Sequence, residues 1–183
     1  MGVFRRGGGS SKRAPKAPAD LRLRLSIPSG EKVLAWGSGP MPGGDRSADE
    51  VGYLAATDRA FYVEGAGDRI GWDRISRASW EEPVLDVVLE DENGRVAGRM
   101  RLRVDLSGDL PAAVHDRVTA SVVVSEVIDL GDGAKARMVA RRPSDDGEVR
   151  WSVVFDAGVD PSDPQLQARA REALADLRSA MGI

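Results

Sequence analysis

The chain has 183 residues, with 26 Lys+Arg, 29 Asp+Glu, one histidine and no cysteine, and a formal net charge of −3 at pH 7. The absence of cysteine excludes disulfides, thiolate zinc sites, Fe–S ligation and cysteine nucleophiles, and a single histidine excludes multi-His metal sites. At 42% hydrophobic and 30% charged, with no apolar run near the roughly 18 residues of a membrane span, the sequence reads as soluble and globular.

The charge is unevenly spread. Residues 1–19 hold Arg5, Arg6, Lys12, Arg13 and Lys16 and no acid, a local charge of +5. The remainder holds 21 bases against 29 acids, so a body of −8 carries a short basic tail. Residues 1–20 are Gly, Ser, Pro, Ala and base, with only Val3 and Phe4 able to pack. That composition cannot offset chain entropy, and the segment is expected to be disordered. No apolar stretch follows Arg5-Arg6 as a secretory signal requires, and position 6 is Arg where a myristoylation pattern needs Ser or Thr. The expectation is a cytoplasmic protein whose residues 21–183 form one domain.

After the tail, short apolar runs alternate with turn signals. Strands are predicted near Lys32–Gly37, Val51–Thr57, Ala60–Glu64, Arg69–Trp72, Ser76–Glu81, Val84–Glu90 and Arg95–Val104, the spacing of an all-β barrel or sandwich. Ser38–Glu50 reads as a long polar loop. Asn93-Gly94 signals a type I′ turn. A two-residue turn there sets Glu92 opposite Arg95, Val88 opposite Arg99 and Asp86 opposite Arg101. The other face then pairs Leu89 with Gly98, Val87 with Met100 and Leu85 with Leu102. A one-residue slip destroys this separation of charged from apolar side chains, so the register is specified.

Asp109–Ala120 reads as a short helix, with Leu110, Val114 and Val118 recurring every four residues and Pro111 in the first turn. Strands Ser121–Leu130 and Ala134–Arg142 flank Gly131-Asp132-Gly133. A three-residue loop with Gly133 left-handed sets Leu130, Ile128 and Val124 opposite Ala134, Ala136 and Ala140, and Asp129 against Lys135. Glu148–Asp156 alternates, with Val149, Trp151, Val153 and Phe155 on one face. The last helix opens with Asp163 as N-cap and Pro164 at N1. It carries a stripe of Leu166, Ala170, Ala173, Leu174, Leu177 and Met181, stops at Gly182, and is expected to pack on the sheet.

The stretch LAATDRAFYV (Leu54–Val63), followed by IGWDRI (Ile70–Ile75), resembles the bacterial PH-like domains, which carry "L-x-x-T-D/N-x-R" and then "I-x-W-x-x-I". The matching residues are Leu54, Thr57, Asp58, Arg59, Ile70, Trp72 and Ile75. GEKVLAWG (Gly30–Gly37) looks like the first strand of the same pattern, and the likeness spans roughly residues 28–105. The second half resembles the C-terminal part of uncharacterised actinobacterial proteins with such a front end. The resemblance implies a mainly β (α+β), PH-like antiparallel barrel or sandwich of seven strands closed by a helix, and binding rather than catalysis. Ala120–Asp156 either completes that barrel or forms an added layer.

Each chemical motif has a plainer structural reading beside it. His115 and Asp116 are helical neighbours whose side chains point apart, which is not triad geometry. Gly65–Gly71 has the glycine spacing of a dinucleotide loop wrong by one, and no helix follows it, so it reads as a turn. Asp156, Asp160 and Asp163 lack the ligand spacing of a calcium loop and read as turn and cap residues. Arg95, Arg99, Arg101 and Arg103 share one strand face. Asp86, Glu90 and Glu92 are predicted on it too, leaving a net charge of +1 and a face of cross-strand ion pairs. Arg99, Arg101 and Arg103 stand as anion-contact candidates together with the tail. Trp72 and Trp151 fit core positions, while Trp36 and Trp80 are candidates for a partner surface or pocket.

The expected function is a non-catalytic PH-like binding or scaffolding domain that engages a protein partner. No catalytic residue, metal or cofactor is assigned. The tail adds a weak, salt-sensitive contact with anionic membrane, at most about 5 kcal/mol for five bases, and the acidic body opposes nucleic acid. The alternatives are a small-molecule or lipid-binding β-barrel and a carboxylate-based hydrolase, which needs two facing acids in a cleft.

Overall fold

The computed structural model describes residues 16–40, 51–67, 69–91, 94–145 and 147–182. Arg5, Arg6, Lys12 and Arg13 of the tail, residues 41–50 of the predicted polar loop, and Glu92 and Asn93 of the predicted turn lie outside them.

A short helix α1 (Leu21–Arg24) leads into β1 (Val33–Pro40), β2 (Val51–Thr57), β3 (Ala60–Val63) and β4 (Ile70–Gly71), an antiparallel meander paired in that order. A 3-10 turn (Trp72–Arg74) passes the chain to a second meander of β5 (Ile75–Glu81), β6 (Val84–Glu90) and β7 (Val96–Arg103). Helix α2 (Leu110–Ser121) follows. A third sheet, with β9 (Ala134–Arg141) between β8 (Val122–Gly131) and β10 (Arg150–Phe155), precedes the closing helix α3 (Pro164–Met181). The hydrogen bonding divides the strands into three sheets. The expected barrel therefore does not close, and the strands within Ala120–Asp156 hydrogen-bond with one another as a separate sheet.

The front core follows from the sequence pattern. Ala35, Leu54, Ala56, Phe61 and Val63 of the first sheet face Leu85, Val87 and Leu102 of the second, and Leu110, Val114 and Val118, spaced every four residues, lay α2 across both. Trp72 is fully buried there, and its Nε1 donates to the Thr57 carbonyl at 3.2 Å. β1 extends further than expected, with Ser38, Gly39 and Pro40 pairing with Tyr53, Gly52 and Val51. At that corner the Ser38 N–H donates to the Leu106 carbonyl at 3.0 Å. A Cβ on Gly39 would overlap the Arg103 carbonyl, so the absence of a side chain is what lets the two sheets meet.

The outer face of the first sheet is covered, which the sequence reading did not anticipate. Leu21, Leu25 and Ile27, on and just after α1, pack on Trp36, Ala55, Ala60 and Tyr62 as a second core. Arg24 pins this cover: its guanidinium lies 4.4 Å from the Tyr53 ring centroid and its Nε donates to Glu64 at 2.7 Å.

Both predicted hairpins keep their ladders and differ at the turns. In the β6–β7 pair Val88 faces Arg99, Asp86 faces Arg101, Val87 faces Met100 and Leu85 faces Leu102, as expected. The register then shifts between Leu89 and Glu90, so Glu90 faces Val96. In the β8–β9 pair Asp129 faces Lys135, Ile128 faces Ala136 and Val124 faces Ala140. Here Gly131, not Leu130, faces Ala134, and a bulge at Leu130 absorbs the difference. Gly131, Asp132 and Gly133 all have positive φ (86°, 55° and 80°), so a two-residue turn closes the hairpin.

The third sheet packs Leu130 and Ala136, with Ile128, Val153 and Phe155 beside them, against Ala170 and Leu166 of α3. Asp163 caps α3 as expected, its side chain accepting from the Gln165 and Leu166 N–H groups at 2.8 and 3.4 Å.

Candidate functional site

Two polar clusters stand out among the described residues. The first lies at the β2–β3 turn. Thr57 is fully buried, and its Oγ1 accepts from the Arg59 and Ala60 N–H groups at 3.1 and 2.8 Å. It donates to Glu31 Oε2 at 2.7 Å. Arg69, just before β4, donates from Nε to Glu31 Oε1 at 3.0 Å and from its terminal nitrogens to Asp145, in the 142–149 loop, at 2.7 and 2.8 Å. Arg59 Nη1 stands 3.9 Å from the same Asp145 carboxylate. Arg69 is held charged well above the usual guanidinium range: burial opposes the charge, but hydrogen bonds to Asp145 and Glu31 prevail. Tyr62 lies beside them. Its hydroxyl is buried with no hydrogen-bond partner among the described residues. Burial, reinforced by Glu31, pushes the phenol up to about 12.

The motif Thr57-Asp58-Arg59 therefore builds this end of the fold. Thr57 organises the turn, and the Asp58 carboxylate accepts from the Lys32 N–H at 2.7 Å. The Asp58 carbonyl accepts from Arg117 of α2. Only Arg59 of the three reaches outward, with half of its side chain exposed.

The second cluster joins the third sheet to the front. Arg141 is 8% exposed and donates to the Val118 carbonyl, the Ser121 hydroxyl and the Ser76 carbonyl at 3.2, 3.0 and 3.0 Å. Glu90 and Asp73, both buried, supply opposite charge around it. Arg150 of β10 donates to Asp73 at 2.6 Å. Burial pushes the Glu90 carboxyl up, against the pull of Arg141 and the hydroxyls of Ser152 and Ser76. Glu90 is thus not on the solvated arginine face where strand alternation placed it. The register shift after Leu89 turns it inward.

The residues singled out from the sequence are scattered. Of the tail bases, Lys16 is described and exposed. Arg99 grips the Asp86 carboxylate with two nitrogens, Arg103 pairs with Asp105 at 2.7 Å, and Arg101 faces Asp86 across the ladder. Arg99–Asp86 is a cross-strand ion pair of the kind that the charge count suggests, whereas Arg103 pairs just past the end of its own strand and Glu90 leaves the face. Trp36 is buried in the outer core, edge-on to Tyr53 with ring centroids 6.1 Å apart, so it offers no partner surface. Trp80 is half-buried and packs on the front core. His115 is half-buried on α2. Asp132, Asp160, Asp163 and Arg169 line an open cleft of about 450 Å³ between the β8–β9 turn and α3. Its acids serve local structure: Asp160 accepts from the Ser162 N–H at 2.8 Å, Asp163 caps α3, and Asp132 pairs with Arg169 at 3.1 Å.

Glu31, Arg69, Asp145 and Arg141 are not named as site residues in the sequence analysis, and Glu90 is placed there on the wrong face. For Arg141 a signal existed. The unbroken run Met138-Val139-Ala140 indicates a strand buried on both faces, which brings the next residue in with it. Among the described residues no helix is long and apolar enough to cross a membrane. Comparison of the chain with protein-family models, curated proteins and solved structures returned no match.

Proposed function

We propose that the chain is a non-catalytic PH-like binding module that engages a protein partner, with its basic tail giving a weak contact to anionic membrane. The carrying observation is the element order. A four-strand meander, a three-strand meander and then a helix packed on both is the arrangement that the Leu54–Ile75 resemblance implies. The third sheet and α3 are an addition to that plan. This addition leaves Val123, Val127 and Val154 exposed, with Val127 and Val154 flanking Arg137 across the sheet. Val127 and Val154 share this face with exposed Ser125, Asp129, Lys135 and Arg137, a mixed surface on which the protein contact of this proposal is tested. The small-molecule barrel is disfavoured by an interior filled with Trp72, Phe61 and Leu110. The hydrolase is disfavoured because the acids of the cleft are engaged in turns, a cap and an ion pair.

The test is affinity capture from native lysate with wild-type protein and the double variant Val127→Asp/Val154→Asp. A partner retained by wild type and lost by the variant supports the reading. Recovery of no specific partner refutes it. For the tail, deletion of residues 1–19 should abolish sedimentation with anionic vesicles at low salt, and unchanged sedimentation removes the membrane contact.

A further inference from the structure

We propose that Arg59 and Arg69 form a carboxylate-binding site for an acidic side chain of a protein partner, occupied in the free chain by its own Asp145. The Arg69 guanidinium is shared between two acids of different standing. Glu31, on Nε at 3.0 Å, is 6% exposed and also holds the Thr57 hydroxyl, so it is a fixed wall of the site. Asp145 takes the other edge as a bidentate pair at 2.7 and 2.8 Å, is 47% exposed, and lies 76 residues along the chain from Arg69. It can leave without opening a core. Arg59, 51% exposed, contributes the second cation from the β2–β3 turn.

Charge selects the ligand. Arg59 and Arg69 against Glu31 leave one positive charge before Asp145 is counted. Asp58 and Arg117, on the adjoining turn and helix, add one of each sign and do not alter the balance. One carboxylate neutralises the site, whereas a dianionic phosphate leaves it negative. The planar guanidinium fork also matches a carboxylate bidentately. The buried Tyr62 hydroxyl, held neutral by burial and by Glu31, lies beside the pair and adds no charge to the site. Tethering gives Asp145 a high effective concentration, so an isolated carboxylate competes poorly. A partner must bring its acid together with other contacts.

This inference rests on the protein-binding reading above, and the two fail separately. One is tested at a single cation pair, the other by capture through the valine surface. Full-length wild type, Asp145→Asn, Arg59→Gln/Asp145→Asn and Asp176→Asn are titrated with a fluorescein-labelled hexaglutamate peptide at low salt. Asp176 is an exposed acid on α3, so its variant makes the same charge change away from the site. Asp145→Asn should bind about fivefold tighter than wild type, the effect of removing one half-exposed internal competitor. The double variant should return to the wild-type level or below, and Asp176→Asn should match wild type. Equal affinity of Asp145→Asn and wild type overturns the proposal. So does an equal gain in Asp176→Asn, or a larger gain for inorganic phosphate than for the peptide. Should Asp145→Asn fail to fold, Asp145→Ser, which also removes the internal competitor, carries the test by NMR. Peptide should shift the Arg59 and Arg69 guanidinium resonances, and their immobility at the highest soluble peptide concentration overturns the site.

Discussion

Gly39 sits where two backbones meet closely. Its Cα hydrogen faces the Arg103 carbonyl where β1 crosses to the second sheet, and even a methyl group would force the backbones apart. Gly39→Ala should cost about 1–3 kcal/mol, as overpacking does, whereas Gly98→Ala, with open space beside it and no left-handed backbone, should be near neutral. Urea denaturation of the two variants checks the contrast. Glu90 makes a different residue-scale prediction. Its carboxyl is raised by burial from an ordinary value of 4.5, so its contribution to stability is fully present below that value and is lost as pH rises through the folded one. Glu90→Gln carries no titrating group. Its Tm relative to wild type should climb between pH 4 and pH 7, and a difference that stays constant with pH contradicts the assignment.

At the scale of elements, α3 depends on its ends more than on its face. Ala170 is its one buried residue among those described, and Asp163 holds the first turn. Asp163→Ala should cost about 0.5–2 kcal/mol and raise hydrogen exchange first in the opening turn of α3, leaving α2 protected. The strands and helices were largely legible because their patterns are local. β2 and β6 have the predicted limits, and the separation of charge from apolar side chains in the β6–β7 ladder admits a single register. What stayed hidden has a physical reason in each case. Residues 21–25 alternate Leu and Arg in the manner of a strand, and they form a single helical turn only because Leu21 and Leu25 pack on the first sheet. Glu90 follows the strand alternation until the bulge reverses it. Glu31, Arg69 and Asp145 come from three distant segments, and no spacing within any one of them records the meeting.

For the whole molecule, the question is how the third layer is held to the front. The connection is ionic: Arg141 and Arg150 reach from the third sheet to α2, β5 and the 3-10 turn. Arg141→Ala removes the countercharge of two buried acids and the guanidinium donor of the Ser76 carbonyl, while the Val118 carbonyl keeps the Ser121 hydroxyl at 2.7 Å. A loss of about 3–5 kcal/mol is expected. Because Arg141 bridges layers with separate cores, the variant should also lose cooperativity, with near-UV and far-UV circular dichroism melting at different temperatures. A single coincident transition contradicts this division of labour. Arg141→Lys should not rescue, since one ammonium cannot reproduce the three fixed directions of the guanidinium.

The cover over the first sheet bears on how the protein is born. All of its members lie between Leu21 and Tyr62, early in the chain. The front core is different: it waits for Val114 and Val118. During synthesis at about 5–20 residues per second, the nascent chain can therefore shield Trp36 and Tyr62 several seconds before their neighbours Ala35 and Phe61 find partners on the other side. A start site moved downstream of Ile27 would reverse that order and present a greasy, unpaired sheet face to chaperones throughout translation.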